Sequence, residues 1–169
     1  MAAVFACADA RVSAETVFDQ HGTLVTVSTW GHVLGPAVIG SIEYAVARWG
    51  VPLVVVLGHD ECAALRVAAD HGEEAACSEG FLGLMVRQLS STAAVGRRGL
   101  IDTDDLAARH VVATGSALIA GSSLLARRIR QNRCALVCAT TAAAAADGQV
   151  RLHLVLGNVE EVADARDDA

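Results

Sequence analysis

Leu53-Val54-Val55-Val56-Leu57-Gly58-His59 is the stretch that decides the fold. Its branched aliphatic run has no polar face, so a strand built from it must be covered on both sides, as the strands of a parallel sheet are. Gly58 then lets the chain leave the sheet in a tight turn. Upstream, Pro36 opens a segment with apolar residues at Val38, Ile39, Ile42, Ala45, Val46 and Trp49. That spacing predicts a helix, with proline in its first turn and Gly50 just past its end. Farther upstream, Ala2 to Ala6 and Leu24 to Val27 are short apolar runs expected as buried strands, with a helical turn or two over Ser13 to Phe18 between them. Downstream, helices are expected over Glu61 to His71, Glu79 to Ala94 and Asp102 to Gln131. The last should break at Gly121-Ser122, where Ser122 or Ser123 can cap a new start. Ala135 to Thr140 and Val150 to Leu156 read as closing strands, separated by an alanine run and the turn signal Asp147-Gly148. Strands alternating with helices imply an α/β fold, a mainly parallel sheet flanked by helices. Ligands of such sheets gather at the carboxyl ends of the strands, where the topology switches direction.

The 169 residues read as a single domain over 1–169, without internal repeat, low-complexity linker or composition shift. An apolar content of 53% and a mean hydropathy of +0.43 exceed what one small soluble protein needs, so a homo-oligomer is expected to cover the surplus. The formal charge of -6 and the pI near 5.4 argue against a nucleic-acid partner, which requires clustered Lys and Arg. Arg127, Arg128, Arg130 and Arg133 do cluster, but near a predicted helix end, where cations suit the dipole. No stretch approaches the roughly 18 continuous apolar residues of a membrane span, and the first residues lack a charged segment before an apolar core. A cytoplasmic location is expected. Five cysteines, an odd count, fit thiols used as ligands or core residues in a reducing compartment better than a disulfide framework.

The chemistry concentrates at two strand exits. Cys7, Asp9 and Arg11 occupy alternate positions beyond the first strand, and His59 and Cys62 follow the decisive aliphatic run. Cys7 alone reads more readily as a buried apolar thiol than as a ligand, and His59 alone is similarly ambiguous. Together, two thiols and one imidazole make a zinc site with one position left open, as catalytic zinc sites have, whereas structural zinc takes four protein ligands. Asp60 and Glu61, between the ligands, read as acids at a helix N-terminus. In an extended segment Asp9 and Arg11 share the face of Cys7. A carboxylate there either ligates the metal or accepts a proton from bound water, and a bidentate clamp by Arg11 would hold it off the metal and ionised. The alternative is a plain structural salt bridge. Cys134 and Cys138 share one face of a strand and read as core; Cys77 has no evident partner.

These residues carry a resemblance to the β-class carbonic anhydrases. The matching segments are Cys7-Ala8-Asp9-Ala10-Arg11-Val12, Val17-Phe18-Asp19-Gln20, Gly31-His32-Val33-Leu34, Gly40-Ser41-Ile42-Glu43-Tyr44-Ala45-Val46, and Leu53 to Leu57 running into Gly58-His59 and Cys62. Weaker similarity continues through Arg109-His110-Val111 and Asp147-Gly148-Gln149-Val150. The resemblance implies that Cys7, His59 and Cys62 bind Zn²⁺, that Asp9 and Arg11 form a gating dyad, and that Asp9 is the fourth ligand of a closed form. It implies reversible hydration of CO₂ to bicarbonate by a zinc-bound hydroxide, in a homodimer or dimer of dimers. His32 and His21 are the histidines available to carry the proton away.

Four departures from the family pattern bear on turnover rather than on ligation. The N-terminal helical arm, which in the family wraps a neighbouring subunit, is expected to be absent. Ser28 stands where an arginine is usual, Trp30 where a small residue is usual, and Ala63 where a glycine usually follows the second zinc cysteine. Two other outcomes therefore stand beside CO₂ hydration: hydrolysis of COS or CS₂ by the same site, or zinc binding with little or no turnover.

Overall fold

The computed structural model describes the backbone of residues 1–9, 11, 13–19, 22–76, 80–93, 103–142 and 149–159. At its centre lies a five-stranded sheet in the order β2-β1-β3-β4-β5. Strands β1 (Ala2–Cys7), β2 (Leu24–Thr29), β3 (Leu53–His59) and β4 (Ala135–Thr141) are parallel, and β5 (Val150–Leu156) runs antiparallel along β4. The central strands β1, β3 and β4 are buried along nearly their whole length, as their unbroken apolar sequences require. The edge strands β2 and β5 alternate between half-buried and exposed positions.

Helices α2 (Pro36–Arg48), α5 (Thr103–Gly121) and α6 (Ser123–Arg130) share the main core with the sheet, around Phe5, Ile42, Val56, Leu118, Leu125 and Leu136. A second cluster joins Ala14 of the single-turn α1 (Ala14–Val17) to Val4, Ala6, Val55 and Leu57. The pair α3 (Ala63–Ala76) and α4 (Gly80–Ala93) encloses a third, in which Cys7 and Cys62 meet Leu65, Ala68, Leu89 and Leu106.

Local sequence accounts for most boundaries. Pro36 opens α2, and Gly50 follows its end in the left-handed region at φ 64°. The break expected after α5 falls at Ser122, whose Oγ accepts from the Leu125 amide at 3.1 Å and donates to Glu43 Oε1 at 2.5 Å, tying α6 to α2. Gly115 lets α5 lie close on β4, since a Cβ there would run into Cys138 Sγ. Arg127, Arg128 and Arg130 occupy the last turn of α6.

Two expectations require correction. The helix after His59 begins at Ala63, not Glu61, and its first turn holds no acid. Glu61 adopts φ 47°, a left-handed conformation that turns the chain toward Cys62 before the helix can start, so Asp60 and Glu61 precede the first helical turn rather than lie in it. The Asp147-Gly148 turn signal and most of the alanine run lie outside the described residues. Among the described residues, no helix is long and apolar enough to cross a membrane.

Connectivity places the site. The chain steps from β1 to β2 on one side, then crosses to β3 on the other, so its direction reverses between β1 and β3. The carboxyl ends of these two strands are Cys7 and His59.

Candidate metal centre

Cys7, His59 and Cys62 are buried, and their ligand atoms lie within 4.8 Å of one another. The two sulfurs are 3.9 Å apart, and a tetrahedral ion with zinc–sulfur bonds of about 2.3 Å would separate them by about 3.8 Å. His59 Nδ1 lies 2.7 Å from the Asp60 carbonyl. A carbonyl can only accept, so Nδ1 carries a proton, and Nε2 is the nitrogen left to offer a lone pair to a metal. That Nε2 is buried and, among the described residues, has no hydrogen-bond partner within 3.5 Å. A metal-ligating imidazole is held in this way, with its outer nitrogen anchored and its inner one free.

The thiols are strongly coupled. Cys7 is held far below the usual thiol range, first by the hydrogen bond from Cys62, against the opposing effect of burial, and further by His59 and the backbone amides of Gly31 and Asp9. Cys62 is driven up by the same contact, then by burial, although the amides of Leu65 and Ala64 pull the other way. Their contact thus favours the thiolate at Cys7 and the proton at Cys62. A dication between them would replace that proton and leave both as thiolates.

Asp9 lies at the rim of this group, buried, with Oδ2 4.0 Å from His59 Nε2. Arg11 grips it with both arms of its fork: Nε donates to Oδ1 at 3.0 Å and Nη2 to Oδ2 at 2.7 Å. The backbone amide of Arg11 adds a bond to Oδ1 at 3.1 Å. This bonding holds the Asp9 carboxyl down at about 2, against burial. Nη2 also reaches the Glu61 carbonyl at 3.2 Å, linking the dyad to the turn that presents Cys62.

Behind Cys7 lies a layer whose contacts the residue patterns did not show. The Gly31 amide donates to Cys7 Sγ at 3.4 Å, and the Gly31 carbonyl accepts from His110 Nε2 at 2.7 Å. His32, on a short 3₁₀ turn over Trp30–His32, donates from Nε2 to the Leu57 carbonyl at 2.8 Å and meets the Phe5 ring edge-on at 5.2 Å. Burial pushes His32 down to about 4 and lowers His110 as well. His32 is therefore a neutral, enclosed imidazole and an unsuitable proton carrier, while His21 lies outside the described residues. A signal for His110 did exist: it falls in register with Val111, Thr114 and Leu118 on the buried stripe of α5.

The remaining candidates are not among the three ligands. Trp30 is half exposed, and Ala63 is the first residue of α3. Cys134 and Cys138 sit in the main core, each thiol raised to about 11 by burial. Cys77 lies outside the described residues.

A sequence profile described as carbonic anhydrase matches residues 2–157. The chain belongs to the β-carbonic anhydrase family. Carbonic anhydrase 2 of Mycobacterium tuberculosis strain H37Rv is 41% identical over 162 residues, 95% of this chain and 77% of that protein. A carbonic anhydrase of Mycolicibacterium smegmatis is 40% identical over 163 residues, covering 95% and 78%. Among solved β-carbonic anhydrases, the Coccomyxa enzyme in complex with acetazolamide superposes with a TM-score of 0.77 at 18% identity, over 96% of this chain and 76% of that one. A structure from the study of two tetrameric β-carbonic anhydrases of Sordaria macrospora gives 0.75 at 18% identity, over 89% and 79%. At such identities the structural likeness establishes the β-carbonic anhydrase fold.

Proposed function

We propose that this chain is a zinc-dependent carbonic anhydrase that interconverts CO₂ and bicarbonate. The observation that carries the proposal is the buried trio Cys7, His59 and Cys62, with an imidazole nitrogen facing two coupled thiols while Arg11 holds the nearest carboxylate aside. Zinc bound by these residues supplies a Lewis acid that lowers the pKa of a water molecule for attack on CO₂. As thiolates, Cys7 and Cys62 would neutralise a bound dication, so that water on it would be less acidified than by three neutral imidazoles. Asp9 compensates: kept ionised by Arg11, it offers only acceptor lone pairs and orients the proton of the attacking water.

Stopped-flow CO₂ hydration on protein of verified zinc content tests this. Activity is expected in the parent chain, with loss in Cys62→Ser through loss of zinc and in Asp9→Ala with zinc retained. An inactive parent carrying one zinc per chain would overturn CO₂ hydration and make COS and CS₂ the next substrates to assay.

The family setting and the surface support a homo-oligomer. Edge strand β2 and helix α2 flank a groove of about 600 Å³ lined by Val25, Val27, Ala45, Tyr44 and Trp49. Tyr44 and Trp49 stack edge to face at 5.8 Å, and both are more than half exposed. Such a face on a chain this apolar suits a second copy. Thiolate ligands suit a reducing compartment, and we place the protein in the cytoplasm.

A further inference from the structure

We propose that His110 is a positioning residue for the metal centre, acting through Gly31 to hold a hydrogen-bond donor on the Cys7 thiolate. The inference rests on the zinc reading above and goes beyond it, since His110 touches none of the three ligands. Gly31 and His32 are successive residues in the left-handed region, at φ 62° and 58°. Such a conformation is costly for a side-chain-bearing residue and persists only where its surroundings fix it. A Cβ on Gly31 would lie 2.8 Å from Leu89 Cδ1 and 3.1 Å from Ala64 Cβ, so packing also demands glycine. Two bonds fix the turn from beneath: His110 Nε2 to the Gly31 carbonyl, and His32 Nε2 to the Leu57 carbonyl on β3. The turn in turn aims the Gly31 amide at Cys7 Sγ. His110 is buried, and Thr114 Oγ1 lies 3.5 Å from the same Nε2. Among the described residues the Nδ1 atoms of His110 and His32 have no hydrogen-bond partner, so the hydrogen bonds that hold each ring run through Nε2. Releasing the Gly31 carbonyl would relax the turn, withdraw the amide from sulfur and leave a more electron-rich thiolate.

Cobalt(II) in place of zinc reports this directly. The near-ultraviolet sulfur-to-cobalt charge-transfer band should move to lower energy in His110→Phe, and zinc affinity measured against a competing chelator should fall about tenfold or more. His110→Gln carries a side-chain N–H at the same bond distance from the backbone and should restore both readouts toward the parent values. A parent protein without a thiolate–cobalt band overturns the metal-centre reading and this inference with it. A parent with the band and an unchanged His110→Phe, or equal shifts in Phe and Gln, overturns this inference alone. An independent measurement needs no variant: in the parent protein loaded with ¹¹³Cd, nitrogen NMR should show His110 protonated at Nε2, and the Gly31 amide proton should couple to cadmium through sulfur. The opposite tautomer, or no such coupling, overturns the inference.

Discussion

Arg11 leaves about half of its side chain in solvent, yet its guanidinium holds both oxygens of Asp9 and the carbonyl of Glu61. Asp9 has a folded-state pKa below its unfolded one, so its contribution to stability is complete above about pH 3.9 and disappears as pH falls through about 2. In Arg11→Ala the Asp9 carboxyl should titrate about two pH units higher, in the ordinary carboxylate range, so that this pH-dependent contribution to stability vanishes; carboxyl carbon NMR on the zinc-free protein measures the change. The dyad was legible because a two-residue spacing next to a thiol limits how an arginine can meet a carboxylate. The contacts of Gly31 and His110 were not, because a backbone amide leaves no trace in residue type, and a histidine on a buried helical stripe looks like any satisfied core histidine. The added bond to Glu61 was equally hidden, since it depends on a left-handed residue that helix propensity cannot anticipate.

Elements were predictable where a boundary has a local chemical cause. Pro36, Gly50 and Ser122 mark ends that the chain observes, whereas the start of α3 was misjudged because the turn carrying Cys62 overrides the acidic helix signal. Ser122→Ala should cost about 1 kcal/mol in urea denaturation through loss of its cap, with its bond to Glu43 lost as well. Gly115→Ala should cost about 1–3 kcal/mol by forcing α5 off β4, and adding Cys138→Ala should recover part of that loss in a double-mutant cycle. The thiols of Cys134 and Cys138 should stay inert to a thiol reagent at pH 8 until the protein unfolds, being buried and raised to about 11.

Over the whole molecule, the order of strands and helices along the chain was enough to anticipate a mainly parallel α/β sheet flanked by helices. It could not supply the strand order β2-β1-β3-β4-β5, which depends on long-range pairing. The exposed β2 and α2 face leads to an assembly prediction: Trp49→Glu should shift the protein toward monomer in light scattering without altering its circular dichroism. The separation of the two thiols has a different consequence. Cys7 and Cys62 are 55 residues apart in the chain and 3.9 Å apart in space. An ion held between them pins strand β1 to the exit of β3 like a cross-link that can be withdrawn without breaking a covalent bond. Extracting it with a chelator should lower the unfolding temperature, and restoring free zinc should raise it again in proportion to the logarithm of concentration. The pair proposed to hold the metal would then also govern how long each molecule survives when metal is scarce.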